Sequence, residues 1–294
     1  MYYLSTTEQG EKCEKIACVY IKGKIKKYIY LCFTKKDTAE TESMKQVSFA
    51  ADTFSNEDKY ANGIFPYFRK MEDMNHRIMV IGASGSGKSV WIGKVVEQIA
   101  KTKFESLDED DDPPAIMEIG QPLDGEIVIF SAIKSDPAFD NQEFNGRTPI
   151  RVQISSPNIM SIQPELFNNC ILIFDDIESY SGDAKVSKFI NKFRDECMEN
   201  SRHYHTDLIS VSHNALAAQK NKMVKHESTG VVVFPINNQY KSLSNFLTSY
   251  LGYDKTQVDY ILKDLTKKYY SKFTFISKQN PQYLITSHSV ELMD

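Results

Sequence analysis

Two hydrophobic patterns divide this chain. Up to about residue 72, the runs Lys15–Ile21 and Tyr28–Phe33 are rich in β-branched and aromatic residues. Lys22-Gly23-Lys24 lies between them and reads as a hairpin connection, so a small β-rich region is expected here. The segment from Thr38 to Asn62 is polar and reads as largely irregular. From Arg77 onward, short apolar runs alternate with stretches of helical periodicity. Ile78–Ile81, Glu126–Ser131, Ile150–Ile154, Cys170–Phe174, Leu208–Ser212 and Val231–Phe234 read as strands. Ile92, Val95, Val96 and Ile99 fall on one helical face, as do Val186, Phe189, Ile190, Phe193 and Cys197 on a helix over residues 184–200. Apolar strands alternating with helices predict an α/β fold with a mostly parallel sheet buried on both faces. Phe273–Ile276 and Tyr283–Thr286 predict a C-terminal β-hairpin around Asn280-Pro281. The expected division is a β-rich region over 1–72 and a larger α/β domain over 73–294.

Composition narrows the class. The chain has 294 residues, 41% of them hydrophobic and 25% charged, which is ordinary for a soluble globular protein and enough to bury a core. No apolar run approaches the roughly 20 residues of a membrane span, and the N-terminus lacks a signal-peptide pattern. An intracellular setting is the expectation. The five cysteines (Cys13, Cys18, Cys32, Cys170, Cys197) have no paired spacing and read as reduced structural thiols. The net charge of −4 argues against broad nonspecific nucleic-acid binding but leaves room for a local basic channel. Asp108–Asp112 contributes to the acidity and reads as a solvated loop. Lys22, Lys24, Lys26, Lys27, Lys35 and Lys36 read as a solvated face. Lys220, Lys222 and Lys225 read as an exposed helix face, with a nucleic-acid contact as the alternative.

The chemistry begins at Gly82-Ala83-Ser84-Gly85-Ser86-Gly87-Lys88-Ser89, which fits the phosphate-binding P-loop pattern. An apolar strand precedes it and an amphipathic helix follows, as the mechanism requires. The glycines let successive N–H groups turn inward onto an anion, and the helix N-terminus adds positive potential. Lys88 would reach the β- and γ-phosphates of a nucleoside triphosphate, and the Ser89 hydroxyl would bind Mg²⁺. Downstream, Ile171-Leu172-Ile173-Phe174-Asp175-Asp176 is an apolar strand ending in two carboxylates, the form of a Walker B element. Asp175 would hold Mg²⁺ with Ser89. Asp176 is placed to polarise an attacking water, with Glu178 a weaker candidate. Arg202 lies between this strand and the next, where an arginine can stabilise γ-phosphate charge in cis or from a neighbouring subunit; Arg194 competes for that role. The strand Leu208–Val211 ends in Ser212-His213-Asn214, so His213 or Asn214 could sense the γ-phosphate or orient water.

These motifs resemble the poxvirus-type genome-packaging ATPases of large DNA viruses, in the FtsK–HerA division of P-loop NTPases. The resemblance runs from about Arg77 to the C-terminus. It rests on Gly82–Ser89, Ile129-Phe130-Ser131 leading to Asp136-Pro137, Leu172–Asp176, and Arg202-His203 before a strand with a polar end. The family commonly has glutamine at that strand end, where His213 stands here. The resemblance implies a P-loop NTPase core of the ASCE/RecA-like kind and an ATPase with ATP and Mg²⁺ at the site. It implies a homo-oligomeric ring that translocates double-stranded DNA into a capsid, with an arginine supplied across the interface. The implied partners are capsid or vertex proteins. The implied setting is the host-cell cytoplasm at the assembly site, or the virion. Two other readings stay open. One is a nucleotide or small-molecule kinase, which the lack of arginines after Arg202 disfavours because such enzymes need an arginine-rich lid. The other is a nucleotide-regulated adaptor, which the Asp175-Asp176 pair disfavours.

Overall fold

The computed structural model describes residues 2–8, 11–35, 44–49, 62–68, 75–104, 121–213, 215, 222–235, 240–265 and 272–293. In chain order the elements begin with β1 (Tyr2–Ser5), β2 (Lys12–Ile21), β3 (Lys24–Phe33), β4 (Gln46–Ser48), β5 (Gly63–Pro66), β6 (Arg77–Ile81) and α1 (Lys88–Lys103). Next come β7 (Leu123–Asp124), β8 (Ile127–Ser131), α2 (Pro137–Asp140), β9 (Ile150–Gln153), β10 (Phe167–Asn168), β11 (Ile171–Asp175), α3 (Ala184–Asn200) and β12 (Asp207–Ser212). The chain closes with α4 (Lys222–Glu227), β13 (Gly230–Val233), α5 (Tyr240–Leu251), α6 (Lys255–Asp259), β14 (Thr274–Ser277), β15 (Tyr283–Thr286) and β16 (Ser289–Leu292). These elements cluster into two compact units, Arg69–Thr229 and Met1–Phe68 with Gly230–Asp294.

The unit Arg69–Thr229 holds a sheet in the order β6-β12-β11-β8-β9, and every neighbouring pair is parallel. Strands β6, β8 and β11 are buried along their whole length, their apolar runs flanked by a single polar end residue each (Arg77, Ser131 and Asp175). Helix α1 buries Trp91, Ile92, Val95, Val96 and Ile99, the face its periodicity predicts. Helix α3 starts at an Asp183 N-cap that accepts from the Lys185 N–H at 2.7 Å. It buries Ile190, Phe193 and Cys197, while Val186 and Phe189 in its first turns are half-buried. Phe193 packs edge-on against Phe130 at 5.3 Å, which fixes the helix over the centre of the sheet. At the far end of α1, Lys103 pairs with Asp207 at 2.7 Å in a buried contact and ties the helix to the start of β12.

All strand pairs of the other unit are antiparallel. One sheet runs β1-β3-β2-β5, and β4, β16, β15, β14 and β13 follow one another in a second set. Lys22 and Gly23 turn the β2–β3 hairpin with φ of 51° and 71°, the two positive values a tight twisted hairpin needs. Lys22, Lys24, Lys26, Lys27 and Lys35 are exposed. Phe65 stacks on Phe273 at 5.5 Å in the core of this unit.

Three expectations change. Cys13 and Cys32 face each other across β2 and β3 and are joined in a disulfide, rather than remaining thiols; strand register brings them together, and nothing in their linear spacing shows it. Val231–Val233 pairs antiparallel with β14, so an all-apolar run reported burial and not strand direction. Residues 230–294 group with 1–68, because β16 hydrogen-bonds along β4 and Ser287 accepts the Ile64 N–H at 2.8 Å. The chain order alone suggests 1–72 against 73–294. Asp108–Asp112, Lys36, Lys220 and Asn214 lie outside the described residues, as does most of 38–62. No helix among the described residues is long and apolar enough to cross a membrane.

Candidate active site

Parallel strands place all their C-terminal ends on one edge, where polar side chains can gather. Here that edge carries Ile81, Ser212, Asp175 and Ser131 from four successive neighbours, with Ser212 opposite Ile81 and Asp175 opposite Ser131. The loop Gly82–Ser89 leaves β6 at this edge. The Gly82 N–H donates to the Ser212 carbonyl at 3.1 Å, so the loop is anchored to the neighbouring strand. Gly85 and Gly87 adopt φ of 72° and 97°, in the left-handed region that glycine reaches without strain. The Ser86 hydroxyl is buried and has no hydrogen-bond partner among the described residues. A positive-φ loop at a helix N-terminus with an unsatisfied buried hydroxyl fits the phosphates of a nucleotide.

Lys88 opens α1 and is buried. Its ammonium donates to the carbonyls of Gly82 at 2.7 Å and Ala83 at 2.8 Å, filling the loop it encircles. Burial pushes Lys88 down to about 8, against the opposing pull of Asp175 and Asp176. The Ser89 hydroxyl donates to Asp136 Oδ2 at 3.1 Å. Asp175 is buried and accepts from the Ser131 hydroxyl at 3.3 Å. Burial raises its pKa, Arg151 and His213 lower it, and Asp136 raises it further, which places those three groups around one carboxylate. The oxygens of Ser89 and Asp175 are the hard donors a magnesium ion takes alongside phosphate oxygens.

Asp176 follows Asp175 in the left-handed conformation, with φ 50° and ψ 38°. Its N–H is held by the Val211 carbonyl at 3.2 Å. An aspartate tolerates this backbone better than most residues, and such strain concentrates at functional sites. His213 Nε2 lies 3.7 Å from Asp176 Oδ2, beyond a hydrogen bond but within reach of an ion pair when the ring is protonated.

The structure therefore brings together Lys88, Ser89, Asp175, Asp176 and His213. Two arginine candidates stand elsewhere. Arg194 is fully buried and satisfied, with Nη1 on Glu178 at 2.9 Å and Nη2 on Asp195 at 2.9 Å. It is a core clamp that cannot project to a neighbour, and it engages the Glu178 carboxylate that sequence reading offers as an alternative base. Arg202 is exposed in the turn before β12, at the opposite end of the sheet from the P-loop. Burial lowers the pKa of Arg77 at the start of β6, and Arg202 adds to that lowering, so the two arginines are neighbours at this far end. A five-residue strand separates its ends by about 16 Å. Arg202 thus does not reach the phosphates of its own chain.

Sequence reading assigns no role to Ser131, Asp136, Asp140 or Arg151. One signal was available: a charged residue inside the apolar run Ile150-Arg151-Val152 has to be paired somewhere.

Fold and motif together place a P-loop sequence, with two carboxylates beside it, at the C-terminal edge of parallel strands. No family model matches the chain, and no curated protein matches its sequence. Solved structures that show some similarity include the genome packaging NTPase B204 from Sulfolobus turreted icosahedral virus 2 in complex with sulfate, at 13% identity and a TM-score of 0.39, covering 75% of this chain and 96% of that one. The pCW3 conjugation coupling protein TcpA with ATPgS is similar at 9% identity and a TM-score of 0.43, covering 94% of this chain and 76% of that one. The cytoplasmic domain of the Thermomonospora curvata type VII secretion ATPase EccC is similar at 9% identity and a TM-score of 0.40, covering 83% of this chain and 28% of that one. These likenesses are remote, and what the site can do follows from its own residues.

Proposed function

We propose that the chain is an ATP-hydrolysing motor of the FtsK–HerA kind that moves double-stranded DNA into a viral capsid. One observation carries the hydrolytic part: Lys88, Ser89, Asp175 and Asp176 converge at one edge of a five-stranded parallel sheet. The DNA and capsid parts are supported by the motif resemblance, from Gly82–Ser89 through Arg202-His203.

In this reading the triphosphate enters the loop, and the Lys88 ammonium exchanges the Gly82 and Ala83 carbonyls for phosphate oxygens. Ser89 and Asp175 would hold a magnesium ion, which would supply charge neutralisation for the phosphates when bound. Asp176 accepts the proton of the water that attacks the γ-phosphorus, while the bond to the ADP oxygen breaks. His213 orients the Asp176 carboxylate. Arg202, out of reach of its own site, acts on a neighbouring subunit in a homo-oligomeric ring. Capsid or vertex proteins are the partners, and the host-cell cytoplasm is the place of action.

ATP turnover measured with and without linear double-stranded DNA tests the proposal. Turnover is expected to rise with DNA. Phosphate transfer to a nucleoside, or nucleotide binding with no turnover, would overturn it. Mixing Arg202→Ala with Lys88→Ala subunits tests the interface. Recovered activity in the mixture is expected, because each inactive chain supplies what the other lacks.

A further inference from the structure

Arg151 sits in β9 with a buried guanidinium, its side chain 9% exposed. Its Nε donates to Asp140 Oδ1 at 2.7 Å, while Nη1 and Nη2 are buried with no hydrogen-bond partner among the described residues. The contrast with Arg194 is direct. Arg194 is buried still more deeply but engages carboxylates through Nε, Nη1 and Nη2. A buried charge that leaves two nitrogens unsatisfied gains less stability than a fully paired one, so its presence calls for another reason.

The reason lies in what Asp140 holds. Its other oxygen, Oδ2, accepts the Asp136 N–H at 2.7 Å, across the first turn of α2. Asp136 in turn accepts the Ser89 hydroxyl at 3.1 Å. An unbroken chain of contacts thus runs from Arg151 to the hydroxyl that the P-loop presents to a metal–nucleotide complex. The loop between β8 and α2 has one further anchor at its start, the Ile133 N–H on the Ser131 hydroxyl at 3.2 Å. The same Ser131 hydroxyl donates to Asp175. Both ends of this loop therefore report to the two groups expected at magnesium.

We propose that Arg151 is a positioning residue of the nucleotide site: through Asp140 it fixes Asp136 against the Ser89 hydroxyl and sets the metal-dependent part of nucleotide affinity. This rests on the reading of Gly82–Ser89 as a nucleotide site. Arg151 touches neither nucleotide nor metal in this account. Its charge holds Asp140, Asp140 holds the Asp136 backbone, and Asp136 orients the hydroxyl. Removing it leaves the phosphate loop and Lys88 intact but lets the Ser89 side of the site wander.

The test is calorimetric binding of ATPγS to the full chain with magnesium and with chelator, for wild type, Arg151→Met, Arg151→Lys and Asp136→Ala. Arg151→Met is expected to weaken binding about tenfold in magnesium, the size seen when a residue supporting a metal ligand is lost, and to leave binding in chelator unchanged. Arg151→Lys restores part of the loss, since an ammonium can still hold Asp140. Asp136→Ala, a change at a half-buried loop residue, reproduces the loss without disturbing a buried ion and covers the case in which Arg151→Met does not fold. Equal weakening with and without magnesium, or no weakening in either variant, would overturn the inference. Wild type that binds no ATPγS would instead remove the nucleotide site itself.

Discussion

The two units of this chain use strands in opposite ways, and the difference explains where the chemistry is. In Arg69–Thr229 five strands run parallel, so their C-terminal ends share one edge and Ser131, Asp175, Asp176 and the P-loop meet there. In Met1–Phe68 with Gly230–Asp294 the strands alternate direction, so no edge collects one kind of strand end. That unit has its own aromatic packing, with Phe65 on Phe273 and Phe68 on Phe275, and its buried strand ends Thr286 and Ser289 hydrogen-bond to each other. Burial builds both units, and the parallel one gathers the P-loop and its carboxylates at one edge.

The sharpest way to break this contrast is Lys88→Ala. It removes the one ammonium inside the phosphate loop while leaving the backbone cradle. Turnover is expected to fall by the order of a hundred- to a thousand-fold, the loss typical of removing one preorganised charge from a reacting centre. Steady-state phosphate release measures it. In the other unit, Phe65→Ala opens a cavity in a fully buried aromatic stack and is expected to cost about 3–5 kcal/mol of stability. Chemical denaturation reads that loss. The affinity for ATPγS is expected to move by less than about twofold, because substitutions that share no partners act independently. A large change in affinity would show that the antiparallel unit shapes the site.

The smallest effect is in pH. Lys88 is pushed down to about 8 by burial, so in the nucleotide-free protein it is charged below that pH and neutral above it. Bound phosphates favour the charged form and raise its pKa. Affinity is therefore highest below about pH 8 and falls as pH rises toward the pKa of the bound state, by at most about tenfold per pH unit. A flat profile would place the Lys88 ammonium away from the phosphates.

The sequence made some of this legible and hid the rest for physical reasons. The P-loop could be read because its glycines, lysine and serine are contiguous and each has a fixed task. The Asp175-Asp176 strand end could be read because an apolar run stopping at two carboxylates has few other uses. Two expected strands between the P-loop helix and that strand, β8 and β9, are present. The Arg151–Asp140–Asp136 chain was hidden because its members are scattered through a strand, a single helical turn and a loop, and only the fold brings them together. Arg202 looked equally suited to act in cis until strand direction placed it at the far edge. The Cys13–Cys32 disulfide depends on hairpin register, which hydrophobic pattern alone does not set.

The role of Asp176 as proton acceptor is tested by Asp176→Asn. The amide keeps the size of the side chain and loses its capacity to take a proton. Hydrolysis of ATP in a single turnover is expected to slow by about a hundred-fold or more, with ATPγS binding in magnesium preserved. Hydrolysis at the wild-type rate in Asp176→Asn would contradict the assignment of Asp176 as the proton acceptor.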